Sequence, residues 1–181
     1  MKLILKLIVL VAIIGGVYYG VTHNTTANRI ASTVAGTLNL SNQGLTQVTS
    51  AVYNQANITE LILSNNSIKT LPSQMGKMTN VVTFKIDHNL LEGSLIGEIR
   101  QMSKLQVLDV SYNNMTGMPA EIGQLSNLQT LDYSYNQITG LPNELSNLKN
   151  NLKTFNLTGN PLTQTQISNL KASLPNTNII F

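Results

Sequence analysis

The strongest constraint on this chain is a period. The segment LDVSYNNMTGMP at residues 108–119 returns 23 residues later as LDYSYNQITGLP. Taking one amide-bearing position as origin, Gln43, Asn66, Asn89, Asn113, Asn136 and Asn160 follow one another at intervals of 23, 23, 24, 23 and 24 residues. Apolar residues keep fixed offsets from these origins. Five before stand Leu38, Leu61, Phe84, Leu108, Leu131 and Phe155, and three before stand Leu40, Leu63, Ile86, Val110, Tyr133 and Leu157. Two after come Leu45, Ile68, Leu91, Met115, Ile138 and Leu162. A unit this short buries too little apolar surface to offset its own ordering entropy, so it must stack on copies of itself.

Written out, the unit is LxxLxLxxNxL in six copies. It resembles the leucine-rich repeat, whose length of about 20–29 residues brackets these intervals. The second half of the unit, GMPAEIGQLSNL and GLPNELSNLKNNL, resembles the LPxxIGxLxxL type. Pro72, Pro119 and Pro142 share one slot in it, and Ile96 departs from the pattern beside a one-residue insertion in EGS. The resemblance implies an α/β solenoid, a right-handed superhelix with a concave parallel β-sheet and helical or irregular turns on the convex side. It also implies protein binding as the default role, without catalysis.

Elementary chemistry accounts for the residue types. Where the chain leaves a strand and turns inward, backbone amides and carbonyls lose their sheet partners, and a side-chain amide can both donate to and accept from them. Asn66, Asn89, Asn113, Asn136 and Asn160 are therefore expected to form a structural ladder. The period ends in TQTQISNLKASLPNTNIIF. Thr163 and Gln166 fit a capping box, so a helix is expected over 164–173, stopped before Pro175 and followed by an edge strand over 178–181. At the other end, RIASTVAGTLNL and the degenerate Gln43 copy are expected to close the stack, giving a repeat domain over residues 35–181.

Residues 1–22, MKLILKLIVLVAIIGGVYYGVT, read differently. Residues 3–22 as a helix would span about 30 Å, which matches a hydrocarbon core. The segment is read as a transmembrane anchor or a signal peptide, cleaved in the second case before Asn28, with residues 23–34 as spacer and cap. Lys2 and Lys6 would stay cytoplasmic and the repeats would lie outside, membrane-anchored or secreted. Gly16 and Gly20 have the spacing of a close helix pair, which glycine's frequency in membrane helices also explains. The net charge of +3 comes entirely from Lys2, Lys6 and Arg29, because residues 30–181 hold eight basic and eight acidic residues. The folded part thus has no basic stripe for nucleic acid. The low charge and the absence of cysteine agree with a bacterial envelope protein.

Residues between the buried offsets are expected to face the concave side in columns. Among them, Lys85, Asp87, His88, Asp109, Tyr112, Asp132, Ser134 and Tyr135 form a candidate patch for a protein or glycan partner, with aromatic and charged groups together. The patch equally fits a solvated strand face, since two carboxylates about 4 Å apart in water repel by only about 1 kcal/mol. No cofactor or metal is expected. His88 and Asp87, as neighbours along a strand, are expected to point apart rather than to act as a base and its orienter. An envelope glycan hydrolase needs a closed pocket, which an open sheet lacks. A structural or self-associating surface spacer is the other alternative.

Overall fold

The computed structural model describes residues 11–14, 17–20, 32–34 and 36–181. Strands β1 (Val11–Ile14) and β2 (Val17–Gly20) pair antiparallel as a two-stranded sheet. The helix expected over 3–22 therefore does not appear in its described part. Among the described residues no helix is long and apolar enough to cross a membrane. The lysine flank, most of the spacer and the cleavage point lie outside the described residues.

The repeats form one eight-stranded sheet. It begins with β3 (Ser32–Val34), antiparallel to β4 (Thr37–Asn39). After it come β5 (Glu60–Ile62) and β6 (Thr83–Lys85), each parallel to the strand before. A second short sheet pairs β7 (Glu92–Gly93) with β9 (Asn114–Met115). The main sheet continues through β8 (Val107–Asp109), β10 (Thr130–Asp132), β11 (Thr154–Asn156) and β12 (Asn178–Ile180), again parallel. The antiparallel β3 closes one end of the stack. At the other, helix α2 (Gln164–Ser173) starts from the Thr163–Gln166 capping box and leads into β12, close to the bounds expected from the sequence.

The register stacks like on like. Leu38, Leu61, Phe84, Leu108, Leu131 and Phe155 are Cα partners in sequence, and every one is buried. Each such side chain contributes about 1.5–3 kcal/mol when removed from water. The return path of each coil supplies further rows: Met75, Ile99, Ile122 and Leu145, then Met78, Met102, Leu125 and Leu148, all buried. This path is helical only in single 3-10 turns, at Ser73–Lys77, Gly97–Gln101, Ala120–Gln124 and Asn143–Leu148, with a short helix α1 (Ser50–Tyr53) in the first coil. Pro72, Pro119 and Pro142 stand at the caps of three of these turns and Ile96 at the fourth. A cap position has extended backbone and proline has no amide to leave unpaired there, which explains the shared slot. Gly93, in the EGS segment that carries the insertion, has a φ of +68°, which favours glycine, and lies within β7.

The asparagine ladder staples each coil to the one before. Asn136 Oδ1 accepts from Met115 N, and its Nδ2 donates to Val110 O in the preceding coil and to Tyr133 O in its own. Asn66, Asn89, Asn113 and Asn160 repeat the arrangement. A second ladder, not anticipated from the sequence, runs along the turn that enters the strands. Asn80, Asn127 and Asn151 donate Nδ2 to the carbonyls of Ala56, Ser103 and Ser126, each one coil earlier.

Candidate functional site

The residue immediately before each origin has a left-handed backbone. Asn42, Asn65, His88, Tyr112 and Tyr135 have φ between 52° and 58°, and Gly159 has φ +77°. Asparagine and glycine adopt this region readily; for other L residues it costs about 1–2 kcal/mol. The turn is held in place from the next coil, where Ser111 O accepts from His88 N, Ser134 O from Tyr112 N and Thr158 O from Tyr135 N. The change in backbone hand breaks the alternation of the strand, so this column turns outward while the following asparagine turns in.

The three rings in that column form a stack. His88 and Tyr112 have centroids 4.2 Å apart at 15°, and Tyr112 and Tyr135 are 4.3 Å apart at 18°. The row ends against Gly159, where a Cβ would meet the Tyr135 ring at 2.9 Å. The rings are not sheltered: Tyr112 is 44% exposed, Tyr135 48% and the His88 side chain 49%. Desolvation raises the Tyr112 hydroxyl above the usual phenol range, and the Tyr135 hydroxyl and Asp132 carboxylate beside it add to the shift.

Beside the stack lie three carboxylates. Asp109 and Asp132 are partners across β8 and β10, and Lys85 is the partner of Asp109 on the other side. Asp132 Oδ1 accepts from Ser134 N and Oγ, and its Oδ2 from Asn156 Nδ2. Asp109 Oδ1 accepts the same pair of bonds from Ser111. Its carboxyl titrates above the ordinary range, chiefly through burial; the Ser111 bonds oppose this, and Asp87 and Asp132 add to it. Asp87 accepts from Ser64 Oγ.

Two expectations need correction. Ser134 is not exposed; it is 3% accessible, and its role is to hold Asp132. Asp87 and His88 do not point apart, because the left-handed turn at His88 brings Nδ1 to 2.9 Å from Asp87 Oδ2. Lys85 appears in none of the ion pairs of the described residues, so it does not neutralise the acidic row by direct contact. The other members of the patch, Asp87, His88, Asp109, Tyr112, Asp132 and Tyr135, are brought together on one face. Among the described residues no three His, Asp or Glu side chains converge to hold a metal ion.

Two models described as leucine-rich repeat match this chain, over residues 103–162 and 57–78. Over 65 residues it is 37% identical to a zebrafish (Danio rerio) leucine-rich repeat and fibronectin type III domain-containing protein, covering 35% of this chain and 11% of that one. The chain thus spans about a tenth of that relative's length. Among solved structures, an LRR protein of Leptospira interrogans superposes with a TM-score of 0.72 and 32% identity, covering 76% of this chain and 34% of that one. The ectodomain of the Arabidopsis thaliana receptor kinase GASSHO1/SCHENGEN3, solved in complex with Casparian strip integrity factor 2, superposes with a TM-score of 0.66 and 27% identity. That match covers 79% of this chain and 17% of the receptor.

Proposed function

Because the chain is a leucine-rich repeat protein, we propose that it is a recognition module whose sheet face, along His88, Tyr112 and Tyr135, contacts a protein partner. The observation that carries this reading is the exposed stack in left-handed backbone. Two tyrosines occupy a slot that asparagine and glycine fill at lower cost in other coils, and half-exposed rings suit contact more than they suit the core. The complex of the similar plant ectodomain with its named factor supports the same role. No catalytic step is assigned to any residue.

The apolar, lysine-flanked character of residues 1–22 supports display outside the cytoplasmic membrane, anchored or released, in a bacterial envelope, with 23–34 as spacer and cap and 35–181 as the module. Protease accessibility of the repeats on intact cells, with the mass of the native N-terminus, tests this part. Recognition is tested by placing a photo-crosslinking residue at Thr130, on the sheet face, or at Gln74, on the return path. A partner joined through Thr130 and not Gln74 is expected. Equal yields from both, or a Thr130 adduct undiminished by Tyr112→Ala with Tyr135→Ala, would dispose of the reading.

A second reading, self-association, rests on β12, which among the described residues is paired on one side only and ends in the exposed Ile180, followed by the exposed Phe181. It predicts a mass that rises with concentration and falls back in Ile180→Lys; a constant monomer mass removes it.

A further inference from the structure

Resting on the reading that the sheet face recognises a protein, we propose that its occupant is an extended basic segment. Its arginine or lysine side chains seat on the row around Asp109, with their aliphatic stems along the edges of the Tyr112 and Tyr135 rings.

Charge is segregated in this domain although its total is neutral. Glu60, Asp109 and Asp132 lie on strands of the main sheet and Asp87 two residues past the end of β6, against a single basic residue on those strands, Lys85. The other seven lysines and arginines of residues 30–181 lie off the strands of the main sheet, Lys153 just before β11, as do the remaining four glutamates. The face is thus complementary to a cation, while the rest of the domain carries the opposite sign and discourages a basic partner from docking elsewhere.

The carboxylates also differ in what they have left to offer. Both oxygens of Asp132 accept protein hydrogen bonds, and both oxygens of Asp87 are engaged, one by Ser64 and one by His88. Asp109 Oδ1 is occupied by Ser111, while its Oδ2 makes no hydrogen bond among the described residues. A guanidinium or ammonium at Oδ2 would supply the missing donor and relieve the repulsion from the two flanking carboxylates. The stacked rings of Tyr112 and Tyr135, on the same face, provide an apolar wall for a methylene stem. A neutral or acidic segment finds no such complement.

The test uses the full chain in detergent micelles and a short fluorescent peptide alternating arginine with serine. The control is the same peptide with citrulline, a neutral isostere, at each arginine. Anisotropy titrations are expected to show the arginine peptide binding about tenfold more tightly at low salt, with the advantage shrinking as salt rises. Asp109→Asn is expected to remove about tenfold of that affinity. The variant keeps its fold, because Asn39 and Asn156 already accept the equivalent bonds in their own coils. Glu144→Gln, on the return path, is expected to change nothing. Equal affinity for the two peptides, no effect of Asp109→Asn, or an equal effect of Glu144→Gln overturns the proposal. A partner crosslinked at Thr130 through a segment without basic residues also overturns it, yet leaves the recognition reading intact.

Discussion

The ring of Tyr112 lies 4.3 Å from that of Tyr135, at 18°, with both residues in left-handed backbone. Stacking of this kind contributes about 0.5–1.5 kcal/mol, and the two left-handed conformations cost about 1–2 kcal/mol each. The stack offsets only part of that cost and the half-burial of the two rings offsets most of the rest, so the pair adds little to the fold. Replacing both with asparagine, the residue of the same slot at Asn42 and Asn65, is expected to change the unfolding free energy by no more than about 1 kcal/mol. Urea titration checks this. A loss of several times that amount would show that the rings are scaffold, and would take away the main argument for a binding face.

Asn136 behaves in the opposite way. Its side chain bridges Met115 N, Val110 O and Tyr133 O in a buried setting. Alanine there strands groups from two coils at once, and a loss of about 3 kcal/mol is expected by the same titration. A change below about 0.5 kcal/mol would mean that other donors and acceptors replace the amide.

Tyr133 occupies a row otherwise filled by leucine, isoleucine and valine, and its buried hydroxyl has no hydrogen-bond partner among the described residues. Burial raises its pKa, so the group is un-ionised throughout the working range. Tyr133→Phe removes an unsatisfied polar atom and keeps the ring. A gain of about 1 kcal/mol in stability is expected. Destabilisation would reveal a partner for the hydroxyl.

The raised pKa of Asp109 fixes the sign of a pH effect. Below the unfolded-state pKa the carboxyl is protonated in both states and carries no penalty. As pH rises through the folded-state value the native form must ionise a group that burial disfavours, and stability falls. Asp109→Asn, which keeps the Ser111 bonds, is therefore expected to gain on wild type between acid and neutral pH. Parallel stability curves across that interval would contradict the assignment.

A Cβ on Gly123 would overlap the carbonyl oxygen of Glu144 in the following turn. Because the obstacle is backbone, the coils must move apart, and Gly123→Ala is expected to lower stability by about 3 kcal/mol. Thermal unfolding measures it. An unchanged midpoint would show that the return path yields more easily than a packed interior should.

The core and the main staples are legible in the sequence because each is written once per coil. Six copies of a row such as Leu108, Leu131 and Phe155 average out local ambiguity, and the Thr163–Gln166 pair marks the start of α2 by its own chemistry. The candidate face is less legible, since it depends on backbone hand, which apolar spacing does not encode. Alternation places Ser134 outside and turns His88 away from Asp87; the left-handed turn buries the first and joins the second pair. The signal was present in the column itself, where asparagine, histidine, tyrosine and glycine replace one another as they do at positive φ. The second ladder of Asn80, Asn127 and Asn151 was obscured because Lys104 holds the equivalent place in the coil between, where its Nζ reaches Asn80 instead.

The amide staples of Asn89, Asn113 and Asn136 reach back by one turn of the spiral and no farther. Length is consequently a free variable of this architecture. Excising or duplicating a block of one period between two such asparagines brings equivalent donors and acceptors face to face, and neither end of the molecule registers the change. The exposed sheet can grow or shrink by a single column at a time, which gives a lineage carrying this chain a route to a wider or narrower face without redesigning its interior.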